Sequence, residues 1–140
     1  MNIKLNKLIA LAFIAFSAFQ FKAQCDEVNT RCLSHLGENF ISDGQNYRAL
    51  LVEDEVAEFT TTFYAGIEYR LAACSGKTDG ILEFRVYDQN RKLLFDNTVY
   101  NDSPYWNFKT ESNMDCIIEA SLNEDQAESG CAVILLGFKN

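Results

Sequence analysis

The chain has 140 residues, 48% of them hydrophobic, and twelve Lys and Arg face twenty Asp and Glu for a formal net charge of −8. This length is enough for one ordinary domain and too short for two. The negative balance repels phosphate backbones and anionic lipid headgroups, which argues against nucleic acid and membrane surfaces as partners.

Residues 1–24 read as a secretory signal peptide. A basic start with Lys4 and Lys7 is followed by the twelve-residue apolar run LIALAFIAFSAF and the polar exit QFKAQ. The run is well short of the roughly 20 residues a spanning helix needs, and no later segment approaches that length. Cleavage near Ala23 or Gln24 and no transmembrane span thereafter are expected. Cys25 at this boundary raises an alternative, an acylated lipoprotein N-terminus, but Lys22, Ala23 and Gln24 stand where Leu and small residues normally precede such a cysteine. Removal of 24 residues leaves 116, with nine basic and twenty acidic side chains, nine minus twenty giving −11. The expected layout is a leader over 1–24, a helix or loop segment over 25–44 and a β-sandwich over 45–140.

In the segment CDEVNTRCLSHLGENF, Leu33, Leu36 and Phe40 fall at helical spacing and Gly37 breaks it, which predicts a short helix or loop packed on the sandwich. From there on the period is two. YRALL sets Tyr47, Ala49 and Leu51 on one side. EFTTTFY sets Phe59 and Phe63 against Thr60 and Thr62, and after a hinge at Ala65 and Gly66, IEYRLAAC sets Ile67, Tyr69, Leu71 and Ala73 against Glu68, Arg70, Ala72 and Cys74. ILEFRVYD, KLLFDN, YWNFK, DCIIEASL and CAVILLGF follow, with turn chemistry between them. About eight strands at this spacing predict an all-β fold, an antiparallel β-sandwich of jelly-roll or Greek-key type. CAVILLGF is apolar on both parities, so it should lie centrally in its sheet with its second face covered.

Motifs of catalysis are missing. There is one histidine, His35, and no Gly-x-Ser-x-Gly, Cys-x-x-Cys, His-Glu-x-x-His or glycine-rich phosphate loop. Cys32 and His35 have a zinc-like spacing but no second pair completes four ligands. The acids, scattered through turns such as VEDE and NEDQAE, read as solubility. No enzyme activity, cofactor or metal is expected. The strongest binding candidate is TVYNDSPYWNF, where Tyr100, Tyr105 and Trp106 crowd a turn with Asn101 and Asp102. Aromatic rings of this kind stack on sugars, with Asn and Asp fixing the hydroxyls. The same residues also fit plain packing, with Trp106 and Phe108 as core residues of the next strand and Tyr100 against the sheet.

The succession FYAG, YRLAA, LEFRVYD, CIIEASL and SGCAVILLGF over residues 43 to 139 resembles bacterial pre-peptidase C-terminal-type jelly-roll domains and related small exported Gram-negative proteins of unassigned function. The resemblance implies an accessory or binding module rather than a catalyst. The acidic pair that often leads into the family's VYD strand is reduced here to Asp79, and no site residue is carried over.

Five cysteines in an exported chain of this size imply disulfides with one left over. In jelly rolls of the resembled kind the strand ending at Cys74 and the strand opening at Cys131 are antiparallel neighbours, which implies a Cys74–Cys131 bridge. Cys25 and Cys32 would pair next, and Cys116, on the parity of Ile118 and Ala120, would point into the core. If Cys25 is acylated, Cys32–Cys116 becomes the second bond. The sequence thus predicts an exported structural or interaction module, periplasmic, outer-membrane-associated or extracellular, with a protein partner in the cell envelope. The alternative is a carbohydrate- or small-ligand-binding module using the Tyr100 to Trp106 turn. Intact-mass measurement of the protein from its native envelope should place the mature N-terminus within residues 23 to 26. A mass carrying acylated Cys25, or a retained Met1, would overturn the cleaved form.

Overall fold

The computed structural model describes residues 24–139; the expected leader up to Ala23 lies outside them. Eight strands follow one another: β1 (Ile41–Val52), β2 (Val56–Phe63), β3 (Glu68–Cys74), β4 (Leu82–Asp88), β5 (Leu93–Asp96), β6 (Tyr105–Lys109), β7 (Met114–Leu122) and β8 (Ser129–Lys139). They form two four-stranded antiparallel sheets, β1-β8-β3-β6 and β2-β7-β4-β5. The pairs β1 with β8, β2 with β7, β3 with β6 and β4 with β5 are those of one long hairpin with its head at β4–β5. Rolling that hairpin up adds the ladders β3·β8 and β4·β7, which is the jelly roll the strand spacing predicts. At the head, Asp88 Oδ1 accepts from the N–H groups of Asn90 and Lys92, and Arg91 takes a left-handed conformation.

Alternation along the strands builds the core between the sheets. Cys116, Ile118, Ala120 and Leu122 of β7 and Phe84 and Val86 of β4 face Leu71, Ala73, Ile134 and Leu136 of the other sheet. β8 is the exception to alternation, since residues 130–137 are all buried. Ala132, Ile134 and Leu136 face the core, while Cys131, Val133 and Leu135 face outward under a helix, α1 (residues 24–36). Central placement and a covered second face, as expected from its composition, account for this strand.

α1 packs through Val28, Cys32 and Leu36, with Cys25 at the margin. This corrects the face expected from Leu33, Leu36 and Phe40: Leu33 is 45% exposed. Cysteine in a bridge behaves as an apolar residue, so the buried stripe is Cys25, Val28, Cys32 and Leu36, at steps of three and four. Gly137 of β8 lies beneath the helix end, where a Cβ would sit 3.0 Å from Phe40 Cβ and 3.1 Å from Leu36 Cδ2. Arg70 of β3 holds the same end. It donates to the carbonyls of His35 (3.0 Å) and Leu36 (3.2 Å), acceptors that a helix terminus otherwise leaves free, and to Asn107 Oδ1 (2.7 Å). Its guanidinium lies between the rings of Phe40 and Tyr105, 4.5 and 4.3 Å from their centroids.

The disulfides are Cys25–Cys131, Cα atoms 5.4 Å apart, and Cys32–Cys74, 5.7 Å apart. The expected pairings, Cys74 with Cys131 and Cys25 with Cys32, are both overturned. β3 and β8 are antiparallel neighbours and Cys74 does face away from Tyr69 and Leu71, but the register sets Cys74 opposite Val133 and Cys131 opposite Leu50. Cys131 is therefore two residues out of line with Cys74. Cys25 and Cys32 are two helical turns apart, about 10 Å along the axis, beyond the reach of one bond. Each instead drops onto the sheet cysteine beneath it. Cys116 is free and buried, and burial first, then the nearby Asp88 and Asp115, pushes its thiol up to about 11.

Peptide mapping without reduction should yield the linked fragments 25–131 and 32–74. In the chain-entropy model loops of these lengths stabilise by roughly 4 to 5 kcal/mol each, less any strain. Replacing Cys32 and Cys74 together by Ser should lower unfolding free energy by about 2 to 5 kcal/mol, and either single change should cost about as much as the pair. Denaturant titration measures it, and additive single effects would contradict the bridge.

Candidate functional site

The turn between β5 and β6 is built for rigidity. Asp96 caps a 3-10 turn (Asn97–Tyr100) by accepting from the Thr98 N–H (3.0 Å) and hydroxyl (2.7 Å), and its second oxygen accepts from Arg85 Nε (2.8 Å). Burial alone would raise its carboxyl pKa; the Thr98 and Arg85 contacts outweigh it and hold the group below the ordinary carboxylate range. Asn97, fully buried, accepts from the Phe84 N–H (2.8 Å) and donates to the Leu82 carbonyl (3.0 Å). Asn101 and Asp102 both adopt positive φ, 54° and 52°.

These constraints do not bring the sugar-stacking candidates together. Trp106 turns inward, stacked on Phe95 (4.8 Å) and Phe108 (4.1 Å). Tyr105 points to the opposite face of β6, under Arg70. Tyr100 is 60% exposed, yet one ring face lies on Phe95 at 5.2 Å. Asn101 and Asp102 are thus left beside one half-covered ring, and the plain packing reading describes the aromatics. The zinc-like pair is likewise separated, with Cys32 bonded to Cys74 and His35 Nε2 2.9 Å from Asp79 Oδ1. Among the described residues no group of three or more His, Cys, Asp or Glu converges on a metal-sized site, and no helix is long and apolar enough to cross a membrane.

Folding does gather acids that look scattered in sequence. Because β1 pairs with β8 and β2 with β7, the VEDE and NEDQAE turns meet, and Glu53, Asp54, Glu124 and Glu128 surround one shallow cleft. The Glu53 N–H donates to the Glu128 carbonyl at 2.7 Å.

A second cleft, of about 450 Å³, opens between the sheets where β1 and β2 form their edges. Its floor includes Ile67, Tyr69, Leu136 and Phe138, and its rim Asp43, Gln45, Tyr47 and Tyr64. A bulge shapes it: Ser42 pairs with Gly137 and Asn46 with Leu135, so residues 43–45 stand opposite Leu136 alone. Gly44 supplies the positive φ of 81°, while Ser42 Oγ accepts from the Gly44 N–H and Asp43 Oδ1 from the Gln45 N–H. Tyr47 donates its hydroxyl to Gln45 Oε1 (2.5 Å), and its ring tilts on Phe59 at 5.5 Å. On the far side the Tyr64–Ile67 turn, with Gly66 at φ 80°, is anchored by the Tyr64 N–H donating to Tyr69 Oη at 3.0 Å. Desolvation by burial raises the Asp43 carboxyl pKa, partly offset by the N–H groups of Gln45 and of Asp43 itself. Sequence reading missed this site; its signal is Ser42-Asp43-Gly44, turn residues inside a segment that otherwise continues as a strand.

No protein-family model and no curated protein matches this chain in sequence. In three dimensions it is similar to the crystal structure of Aeromonas hydrophila PliG, a periplasmic lysozyme inhibitor of g-type lysozyme, with a TM-score of 0.52, 11% identity, and coverage of 68% of this chain and 85% of that one. At that identity the likeness is one of fold. The neighbour is not a pre-peptidase C-terminal-type domain.

Trp106 is the one tryptophan of the chain, so its fluorescence reports the β5–β6 turn. Emission should be that of an apolar environment, weakly quenched by iodide and unmoved by oligosaccharides. A saturable sugar-induced shift would restore the turn as a carbohydrate site.

Proposed function

We propose that the protein is an exported, non-enzymatic β-sandwich of the cell envelope that works by binding another protein. The observation that carries the reading is the likeness of its fold to a periplasmic inhibitor of g-type lysozyme, since an inhibitor's work is to engage another protein. Two cystines support export, because such bonds form and persist in oxidising compartments, and they agree with the secretory leader read from the sequence. A jelly roll cross-linked at its N-terminal helix also holds its clefts and turns in fixed positions, which lowers the ordering cost of association. The excess of acids over bases after leader removal favours a basic partner through steering at low and moderate salt. A lysozyme-type enzyme in the periplasm or at the outer membrane is the finer form of the proposal.

Titration of a g-type lysozyme with the purified, oxidised protein should give stoichiometric loss of muramidase activity and a 1:1 complex on gel filtration. A stoichiometric complex with a different envelope protein, captured by cross-linking and rebuilt from purified components, supports protein binding while rejecting the lysozyme form. Glycan binding with no rebuilt protein complex would overturn the proposal in favour of a carbohydrate module.

A further inference from the structure

We infer that the cleft between the β1 bulge and β2 receives the cationic head of a Lys or Arg side chain from the protein partner, an inference that rests on the protein-binding reading above. Three observations converge on a cation. Tyr47, Tyr64 and Phe138 line the cleft with aromatic rings, whose negative faces attract an ammonium or guanidinium group. Asp43 stands at the same rim and makes no ion pair among the described residues, and no Lys or Arg lines the cleft to supply one. The Tyr47 hydroxyl spends its hydrogen on Gln45, another residue of the cleft lining, which leaves its oxygen free to accept.

Below the rim the lining is apolar, with Ile67, Leu136 and Phe138, a surface suited to the methylene stem of Lys or Arg behind its polar head. Other occupants fit worse. An anion would face the Asp43 carboxylate. An apolar side chain would cover that carboxylate further without pairing it, at the cost of an unsatisfied charge. Asp43 is exposed at the rim, and partial desolvation there holds its carboxyl above its ordinary range, so a pairing cation acts in the direction that returns it to the charged form.

The probe is N-acetyl-lysine amide, compared with N-acetyl-norleucine amide, which has the same stem without the ammonium group, by amide chemical shifts of the oxidised protein. The lysine probe should shift residues 43–47 and 64–67 and bind at least about tenfold more tightly than norleucine. Asp43→Asn should erase that advantage. Asn keeps the Oδ1 acceptor for the Gln45 N–H, so unchanged shifts outside the cleft verify that the fold is intact. Equal binding of the two probes, or no shift in the cleft, would overturn the inference. A rebuilt partner complex indifferent to Asp43→Asn would also overturn it while leaving the protein-binding reading in place. Lysine-probe binding in the cleft without any rebuilt protein complex would uphold a cation site there while overturning the protein-binding reading and, with it, the partner side chain as occupant.

Discussion

β8 cannot face water on either side. Eight consecutive residues of this strand are buried, and a central strand with an apolar outer face obliges the fold to supply a cover. α1 is that cover. A single helix of this length is marginal in water, and here its stability comes from Val28, Cys32 and Leu36 seated on Val133 and Leu135. The sheet in turn contributes Arg70, which satisfies the helix's last carbonyls, and Gly137, whose missing side chain lets Leu36 and Phe40 approach. The dependence is mutual: without the helix the sheet exposes an apolar strip, and without the sheet the helix frays. The two cystines make this arrangement a property of the covalent chain rather than of packing alone.

The strands were legible in the sequence because period two survives wherever one face is buried and one is wet. Leu82, Phe84 and Val86, or Cys116, Ile118 and Ala120, alternate so cleanly that no competing helical pattern arises. Central placement of CAVILLGF was legible for the opposite reason, the loss of alternation. A short helix or loop packed on the sandwich was legible too, but not which of its faces is buried, because in α1 half of the buried stripe is cysteine, and a count of aliphatic and aromatic residues alone draws the stripe through Leu33. The disulfide pairing failed on register. Side-chain parity can be read from pattern and the strand neighbourhood is implied by the resembled jelly rolls, but an offset of two residues along an antiparallel ladder preserves both and still separates two sulfurs.

The functional surface was harder to read than the fold, for a physical reason. Aromatics dominate cores as well as binding sites, and the TVYNDSPYWNF turn spends Trp106 inside the sandwich. The β1–β2 cleft depends on a bulge that juxtaposes residues distant in sequence, Asp43 and Tyr47 with Tyr64 and Phe138. A bulge on an edge strand has a second effect. It breaks the flat row of N–H and C=O groups along β1, which otherwise invites pairing with another chain. The irregularity that opens a cleft for one kind of partner thereby also discourages indiscriminate strand addition.

The Cys25–Cys131 bond spans 106 positions and joins the start of α1 to the opening of the last strand. Tension applied at Cys25 and at the end of β8 therefore passes through one sulfur–sulfur bond into the last strand, and everything between the two cysteines hangs slack inside a closed ring. A machine that pulls or threads the chain by those ends would load β8 and its ladders to β1 and β3, while the chain between the two cysteines stays a closed loop outside the line of tension until the bond is reduced. For the chain between the two cysteines mechanical resistance belongs to redox chemistry, and only β8 has to hold by its own ladders.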